Sequence, residues 1–467
     1  MKKKPLMKNW IPPKAALAIL VFGAIVLLPQ VIPSINYYAF DPRGARAVLD
    51  FPLRKSAEDA ELNPLASEAS RDELRTRRLT AVAPKNLIDP AHALDHFYAS
   101  LEKGGVTRIL HYGDSPTTAD LITADARILL QKEFGDAGAG FVLIARPWAW
   151  YNRRGVEMSA SNWQIDIGGN SSLKDGLNGL GAVSFRGGPG AVANWTLKDA
   201  THRSAEVYYL GQPGGGEFSL EADGQMLGSA SAKAEETAPG FARFDIPEGA
   251  SHLTLRVTDG SVRLFGVDFR RADPGVVYSS AGVNGANITL LSRALNEAHW
   301  ARELQHYNPD LVVINYGTNE SGFPQFVDTT WGREMRLAVR RLHNALPNVS
   351  ILLMSPMDRG EKQENGDIDT LAAIPRLVST EAKIALDMNV AFFNTFEAMG
   401  GQGTMARWYA AEPRLVGADY IHPMPAGAKI VGGLLFSALR EGYQRHKLQE
   451  LKQKIAESSA AAQAGRP

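Results

Sequence analysis

Continuous apolar runs that alternate with amphipathic helical segments are the feature that most limits how this chain can fold. The runs TRILHYG, GVVYSSAG, DLVVINYG and SILLMSPM are each followed by a segment whose apolar residues recur at helical spacing. Uninterrupted Val, Ile and Leu runs are typical of parallel strands that helices cover on both faces. The sequence therefore predicts an α/β fold, a three-layer α/β/α sandwich around a parallel sheet, with ligands at the carboxyl ends of the strands.

Residues 147–272 interrupt this alternation with a pattern of period two. The segments AEVYYL, GEFSLEADG, FARFDIPEG and SHLTLRVTDG alternate along their length and are joined by Gly-rich turns. They predict an antiparallel β-sandwich inserted into an α/β domain that occupies residues 89–146 and 273–447. The insert also holds five aromatic residues that would suit stacking on sugar rings if exposed and would otherwise be core: Trp148, Trp150, Tyr151, Trp163 and Trp195.

The amino terminus has the pattern of a membrane-targeting segment. Five lysines precede residues 15–40, which carry no charge and approach the length needed to span a bilayer. Without a clear cleavage site, residues 1–40 are interpreted as a signal anchor rather than a cleaved signal peptide, with the amino terminus in the cytoplasm and the rest of the chain outside. Residues 41–88 are then a stalk, and residues 448–467 a polar tail.

Composition removes several functions. The 467-residue chain has 50 Lys and Arg against 50 Asp and Glu, which gives no electrostatic reason to expect a nucleic-acid partner. It has no cysteine, so thiol catalysis, Cys-ligated zinc and disulfides are excluded.

Residue types suited to serine catalysis follow the predicted strands. Ser115 ends the segment GDS, and His422 and Asp419 lie in the segment DYIH. A serine nucleophile needs a base, an acid that orients the base, and donors for the developing oxyanion. His422 can be the base, and Asp419 can orient its imidazole.

Oxyanion donors are available in the same places. The N–H of Ser115 lies at a predicted helix start, Gly285 in GVNGAN permits close backbone approach, and Asn319 in GTNE offers a side-chain amide. Each residue alone also has an ordinary interpretation. Ser115 before Pro116 is a good helix cap, Gly285 a turn residue, Asn319 a loop residue, and Asp419 with His422 a local loop-closing pair.

Taken in order, these four segments resemble the blocks of the SGNH (GDSL-type) hydrolase family, over about residues 105–146 and 273–445. The resemblance implies that Ser115 is the nucleophile, that His422 and Asp419 complete the triad, and that Gly285 and Asn319 form the oxyanion hole with the N–H of Ser115. It implies no metal or organic cofactor. The chain departs from the family pattern at Glu320, where aspartate is usual, and at Pro116, and Gly282 competes with Gly285 for the second block.

An exported SGNH domain with a β-sandwich between its first two blocks is similar to bacterial peptidoglycan O-acetylesterases. The expected function is a serine esterase that removes O-acetyl groups from an envelope polysaccharide. A polysaccharide O-acetyltransferase would use the same triad, and a non-catalytic carbohydrate-binding protein would not need it. A metallophosphoesterase would need an early Asp-x-His and a late Gly-His-x-His, which the sequence lacks.

Overall fold

The computed structural model describes residues 86–170 and 173–464. The predicted anchor, residues 1–40, and all but the end of the predicted stalk lie outside these residues. Within the described ranges, no helix combines the length and the apolar character that crossing a membrane requires.

The α/β part is built on a six-stranded sheet. Its strands, numbered along the whole chain, are β1 (Leu87–Ile88), β2 (Val106–Gly113), β14 (Gly275–Gly282), β15 (Leu311–Asn315), β16 (Ser350–Met354) and β19 (Ala391–Phe393). Their order is β1-β19-β16-β15-β2-β14, and every neighbouring pair is parallel except β1 with β19. A small separate hairpin pairs β17 (Gly360–Lys362) with β18 (Ile368–Thr370).

Helices connect these strands and cover the sheet. They are α1 (Asp95–Glu102), α2 (Ser115–Thr118), α3 (Ile122–Phe134), α4 (Glu297–Tyr307), α5 (Pro324–Phe326), α6 (Gly332–Ala345), α7 (Ala373–Asp387), α8 (Thr395–Ala398), α9 (Thr404–Ala410) and α10 (Pro425–Ala464). Short π-helical turns at Leu290–Ala294 and Val327–Trp331 and a 3-10 turn at Glu320–Gly322 complete the set.

Both faces of the parallel sheet are buried. On β15, Val312 and Ile314 belong to one hydrophobic cluster, whereas Leu311 and Val313 belong to the other. Alternate residues of a strand point to opposite faces, so each face has its own apolar cover. The parallel α/β sheet predicted from the continuous apolar runs is confirmed.

Residues 140–270 form two antiparallel sheets. Their strands are β3 (Gly140–Val142), β4 (Val156–Ser161), β5 (Gln164–Ile167), β6 (Val183–Gly187), β7 (Val192–Leu197), β8 (Ser204–Gly211), β9 (Glu217–Ala222), β10 (Gln225–Ser231), β11 (Ala238–Asp245), β12 (His252–Asp259) and β13 (Val262–Arg270). The first sheet has the order β10-β9-β12-β7-β4, and the second has the order β11-β8-β13-β6-β5, with β3 also paired to β13.

The second antiparallel sheet is less exposed than its period-two sequence indicates. Eight of the nine residues of β13 are buried. One reason is that this sheet also contacts the α/β part: on α4, His306 stacks on Phe241 of β11 at a ring-centroid distance of 3.5 Å. The boundaries at residues 147 and 272 stay a prediction, and the second sheet also takes in β3, which precedes the first of them.

One predicted helix begins later than expected. The sequence predicts a helix from Pro90 to Glu102, whereas α1 starts at Asp95. His92 adopts a left-handed conformation, with φ of 55°, and this interrupts the helix. Asp89 does not cap this later start: its carboxylate accepts hydrogen bonds from the N–H groups of Ala93 and Leu94, which precede the helix.

Candidate active site

The parallel sheet brings three of the predicted site residues to one edge. Gly113, the last residue of β2, is paired with Gly282 at the end of β14 and with Asn315 at the end of β15. Because parallel strands end at the same edge, the loops that follow them meet there. Ser115 follows β2, Gly285 follows β14 and Asn319 follows β15, as the predicted strand ends require.

Ser115 and His422 meet across 307 positions of sequence: the Ser115 hydroxyl lies 2.8 Å from Nε2 of His422. The other ring nitrogen, Nδ1, lies 2.6 Å from Oδ2 of Asp419. An ionised carboxylate only accepts, so Nδ1 carries the proton and Nε2 is left to accept from the serine hydroxyl. The three side chains thus form a continuous hydrogen-bonded chain from carboxylate to hydroxyl.

Asp419 also organises the loop on which His422 lies. Its Oδ1 accepts hydrogen bonds from the N–H groups of Ile421, at 3.0 Å, and His422, at 3.1 Å. Partial burial opposes ionisation, but the bonds from the His422 side chain and from these two amides outweigh it and hold the pKa of Asp419 below its ordinary value. This contact between Asp419 and His422 fits both the loop-closing pair and the orienting acid, which the sequence left as alternatives.

Gly285 and Gly282 have different surroundings. A Cβ on Gly282 would lie 2.1 Å from the backbone nitrogen of Thr118, so glycine is needed there for β14 to pack on α2. Gly285 has φ of +70° and nothing within 4 Å of the position a Cβ would take. Its backbone is therefore open to an approaching molecule, whereas Gly282 serves packing.

Asn319 is held between two loops. Its amide nitrogen donates to the carbonyl of Ala286 at 2.8 Å and to Oδ2 of Asp114 at 3.2 Å. Burial raises the pKa of Asp114 to about 7, and the nearby His422 partly opposes this. Both amide hydrogens of Asn319 are therefore in hydrogen bonds. Asn319 can donate to an oxyanion only if one of these two bonds breaks, and the longer bond, to Asp114, is the weaker.

Glu320 joins two loops of the site, a role that the sequence did not predict. Its carboxyl group accepts the N–H of Ile288 at 2.7 Å and that of Gly317 at 3.0 Å, so it ties the loop of Gly285 to the loop of Asn319. Burial raises the pKa of Glu320 to about 8. The signal in the sequence is a carboxyl group directly after the block asparagine.

Among the described residues, no group of three or more His, Asp or Glu side chains is arranged to hold a metal ion.

A cleft of about 490 Å³ opens beside Ser115. It is lined by Ser115, Ala119, Leu121, Trp150, Asn284 and His422. Of the five aromatic residues singled out in the insert, Trp195 and Tyr151 are buried core and Trp148 and Trp163 are half-buried. Trp150 is exposed, and it is the one that lines this cleft.

Comparison with known families gives the class of this site. Residues 248–430 match the model of the GDSL-like lipase/acylhydrolase family. The chain carries a GDSL-like lipase/acylhydrolase domain. The resemblance to SGNH hydrolases predicted from the four blocks is confirmed, and the chain is an enzyme of this hydrolase class. The matched range contains Gly285, Asn319, Asp419 and His422. Ser115 precedes this range in the sequence, before the first strand of the antiparallel sheets.

One solved structure has a fold similar to that of this chain, and a second is a weaker match. A peptidoglycan O-acetylesterase structure is 24% identical, with a TM-score of 0.65, and the match covers 77% of this chain and 99% of that one. A family two carbohydrate esterase from Clostridium thermocellum in complex with cellohexaose matches at 17% identity, with a TM-score of 0.27 and coverage of 60% and 100%. A comparison with curated proteins gave no match.

Proposed function

We propose that this SGNH hydrolase is a serine esterase that removes O-acetyl groups from an envelope polysaccharide, with peptidoglycan as the expected substrate. The observation that carries the proposal is the hydrogen-bonded chain of Ser115, His422 and Asp419 beside an open cleft. The similarity in fold to a peptidoglycan O-acetylesterase supports the choice of substrate.

In the proposed reaction, the Ser115 oxygen attacks the acetyl carbonyl carbon while its proton passes to Nε2 of His422. Asp419 stabilises the imidazolium that forms. His422 then returns the proton to the sugar oxygen as the ester bond breaks, which leaves an acetyl-enzyme on Ser115. Water, deprotonated by His422, attacks this ester and releases acetate and the free serine.

The tetrahedral intermediates carry a negative oxygen that needs donors. The N–H of Ser115 at the start of α2, the N–H of Gly285 and the side-chain amide of Asn319 are the proposed donors. Glu320 holds the loops of Gly285 and Asn319 together through its two backbone hydrogen bonds. Preorganised donors of this kind lower the barrier because they need no rearrangement during the reaction.

Hydrolysis of a chromogenic acetate ester by the full chain tests the chemistry. Ser115→Ala and His422→Ala are each expected to lower kcat by about 10³-fold or more, because neither nucleophile nor base can be replaced by a neighbour. Ser229→Ala, at an exposed serine on β10, is the matched control and should retain wild-type activity. Wild-type activity in Ser115→Ala would contradict the proposal.

The natural reaction needs a second measurement. Acetate release from O-acetylated peptidoglycan, compared with other acetylated polysaccharides, tests the substrate. Added acceptor sugar tests the transferase alternative, since capture of the acetyl group by the sugar in place of water would identify transfer.

We also propose that residues 15–40 anchor the chain in the inner membrane with the hydrolase part outside the cytoplasm. Support comes from the lysines that precede the uncharged run. Protease added to intact spheroplasts should then digest the hydrolase part, and protection of that part would contradict this location.

A further inference from the structure

Only two aromatic side chains among the described residues are exposed. Trp150 is 51% exposed and Phe323 is 68% exposed, while every other Trp, Tyr and Phe in the described ranges is buried or half-buried. A single exposed apolar residue needs no explanation. These two, however, both line clefts that contain the proposed catalytic residues.

Trp150 is fixed next to the reactive serine. The segment that bears it is bonded to the residues that follow Ser115: the N–H of Asn152 donates to the carbonyl of Thr118 at 3.3 Å, and that of Arg154 donates to Asp120 Oδ2 at 2.8 Å. Arg127 of α3 reaches back to the carbonyl of Arg154 at 2.9 Å. The ring of Trp150 is therefore carried by a backbone that α2 and α3 hold in place.

Phe323 is also held in place through its backbone. It lines a second cleft of about 680 Å³ together with Gly285, Asn319, Pro324 and Phe326, among others. Its N–H donates to the carbonyl of Glu320 at 2.8 Å. Arg359 donates to the carbonyl of Thr318 at 2.9 Å and so anchors the start of the same loop.

The two clefts adjoin at the proposed oxyanion site. Asn284 lines the first and Gly285, its neighbour in the chain, lines the second. Ser115 and His422 lie in the first cleft and Asn319 in the second. A polymer that occupies both clefts would thus have the reactive hydroxyl among its contacts.

The linings fit an uncharged polymer. Neither cleft is lined by Lys or Arg, and the one carboxyl group, Glu320, is only 2% exposed. An acidic polysaccharide would find no cationic partner at these residues. Aromatic faces offer apolar area and geometric fit to the C–H faces of sugar rings without needing charge.

We propose that Trp150 and Phe323 are stacking platforms for sugar units on either side of the acetylated residue. The substrate is then an internal residue of an O-acetylated glycan chain that is uncharged where it contacts the clefts. This inference rests on the proposed esterase function and adds the polymer's path to it.

The test compares chain lengths. The full chain is assayed on a chromogenic acetate ester and on O-acetylated N-acetylglucosamine oligomers from monosaccharide to hexasaccharide. In the wild type, kcat/KM is expected to rise with oligomer length. Trp150→Ala and Phe323→Ala should each lower the ratio of kcat/KM on the hexasaccharide to that on the chromogenic ester by about three- to tenfold, and Trp150→Phe should retain most of it.

Met226→Ala is the matched control, because Met226 is 56% exposed on β10 and lines neither cleft. It should leave the ratio unchanged. A length-independent kcat/KM, or an equal loss on both substrates in the two alanine variants, would overturn the platforms while leaving the esterase proposal intact.

Binding gives a readout that does not depend on turnover. Calorimetry with the hexasaccharide should show weaker binding to Ser115→Ala when Trp150→Ala or Phe323→Ala is added. If the wild type hydrolyses no acetate ester but this loss of affinity is seen, the esterase proposal fails and glycan binding stands. Unchanged affinity rejects the platforms.

Discussion

The parallel sheet and the antiparallel sheets of this hydrolase differ in where their strands end and in what they contribute to the candidate site. In the parallel sheet, the neighbouring strands β15, β2 and β14 end at one edge, and the loops after them hold Asn319, Ser115 and Gly285. In the antiparallel sheets, successive strands end at opposite edges, and strands such as β7 alternate buried and half-buried residues. Parallel strands therefore gather distant residues at one place, whereas the antiparallel sheets contribute mainly core.

The largest expected effect is a loss of activity from a substitution beside the parallel sheet, where the candidate site lies. Asp419→Asn should lower kcat on a chromogenic acetate ester by about 10³- to 10⁴-fold, because an amide in place of Oδ2 cannot hold the proton on Nδ1 of His422. Stability should change little, since Oδ1 can still accept from the amides of Ile421 and His422.

Asp245→Asn, at a side chain that is 92% exposed on β11, is the matched control and should behave as wild type. Activity above a tenth of wild type in Asp419→Asn would mean that the aspartate only closes its loop. Steady-state kinetics with thermal unfolding distinguish the two outcomes.

The next largest expected effect is a loss of stability from a substitution in the antiparallel sheets. Trp195 on β7 is 1% exposed, packs edge-on against Phe269 and donates to the carbonyl of Leu143 at 3.3 Å. Trp195→Ala should lower the free energy of unfolding by about 3–5 kcal/mol through lost burial and the cavity left behind. Below its unfolding temperature, kcat should stay near wild type.

Trp150→Ala is the matched control for stability, because the same truncation at a half-exposed ring removes little buried area. Denaturant unfolding measures both variants. Equal losses for Trp195→Ala and Trp150→Ala would contradict the division between a structural sandwich and a functional cleft.

The smallest expected effect is on the pH dependence of stability and concerns a buried carboxyl group. Glu381 on α7 is fully buried, neither of its carboxyl oxygens has a hydrogen-bond partner, and burial, with the nearby Glu320 adding to it, raises its pKa well above the ordinary value of 4.5. A carboxyl group whose pKa is raised by folding stabilises the fold fully below its ordinary pKa. That contribution is lost as pH rises towards the folded-state value.

Glu381→Gln, a neutral substitute of similar shape, should therefore weaken the fall in the free energy of unfolding that accompanies a rise in pH above 4.5. Unfolding measured across pH provides the check. Glu248→Gln, at a side chain that is 88% exposed, should keep the wild-type slope. A slope in Glu381→Gln as steep as in the wild type would show that Glu381 is charged in the fold.

Much of the fold and of the candidate site could be predicted because the signals are local. Strand and helix periods separate the parallel sheet from the antiparallel ones, and Asp419 and His422 lie three residues apart on one loop. The roles assigned to Ser115, Gly285 and Asn319 stay predictions that the variants above test. The bridge made by Glu320 could not be found in this way, because it joins two loops that only the sheet brings together.

The sequence by itself determined the class of fold, the four blocks and the hydrolase family, since each depends on residues within a few positions of one another. Tertiary structure alone decided that Ser115 reaches His422, which of the insert's aromatic rings is exposed, and that β13 is covered on both faces. Burial and long-range contact depend on which distant segments pack together, and a local period is the same whether a face meets solvent or another part of the chain.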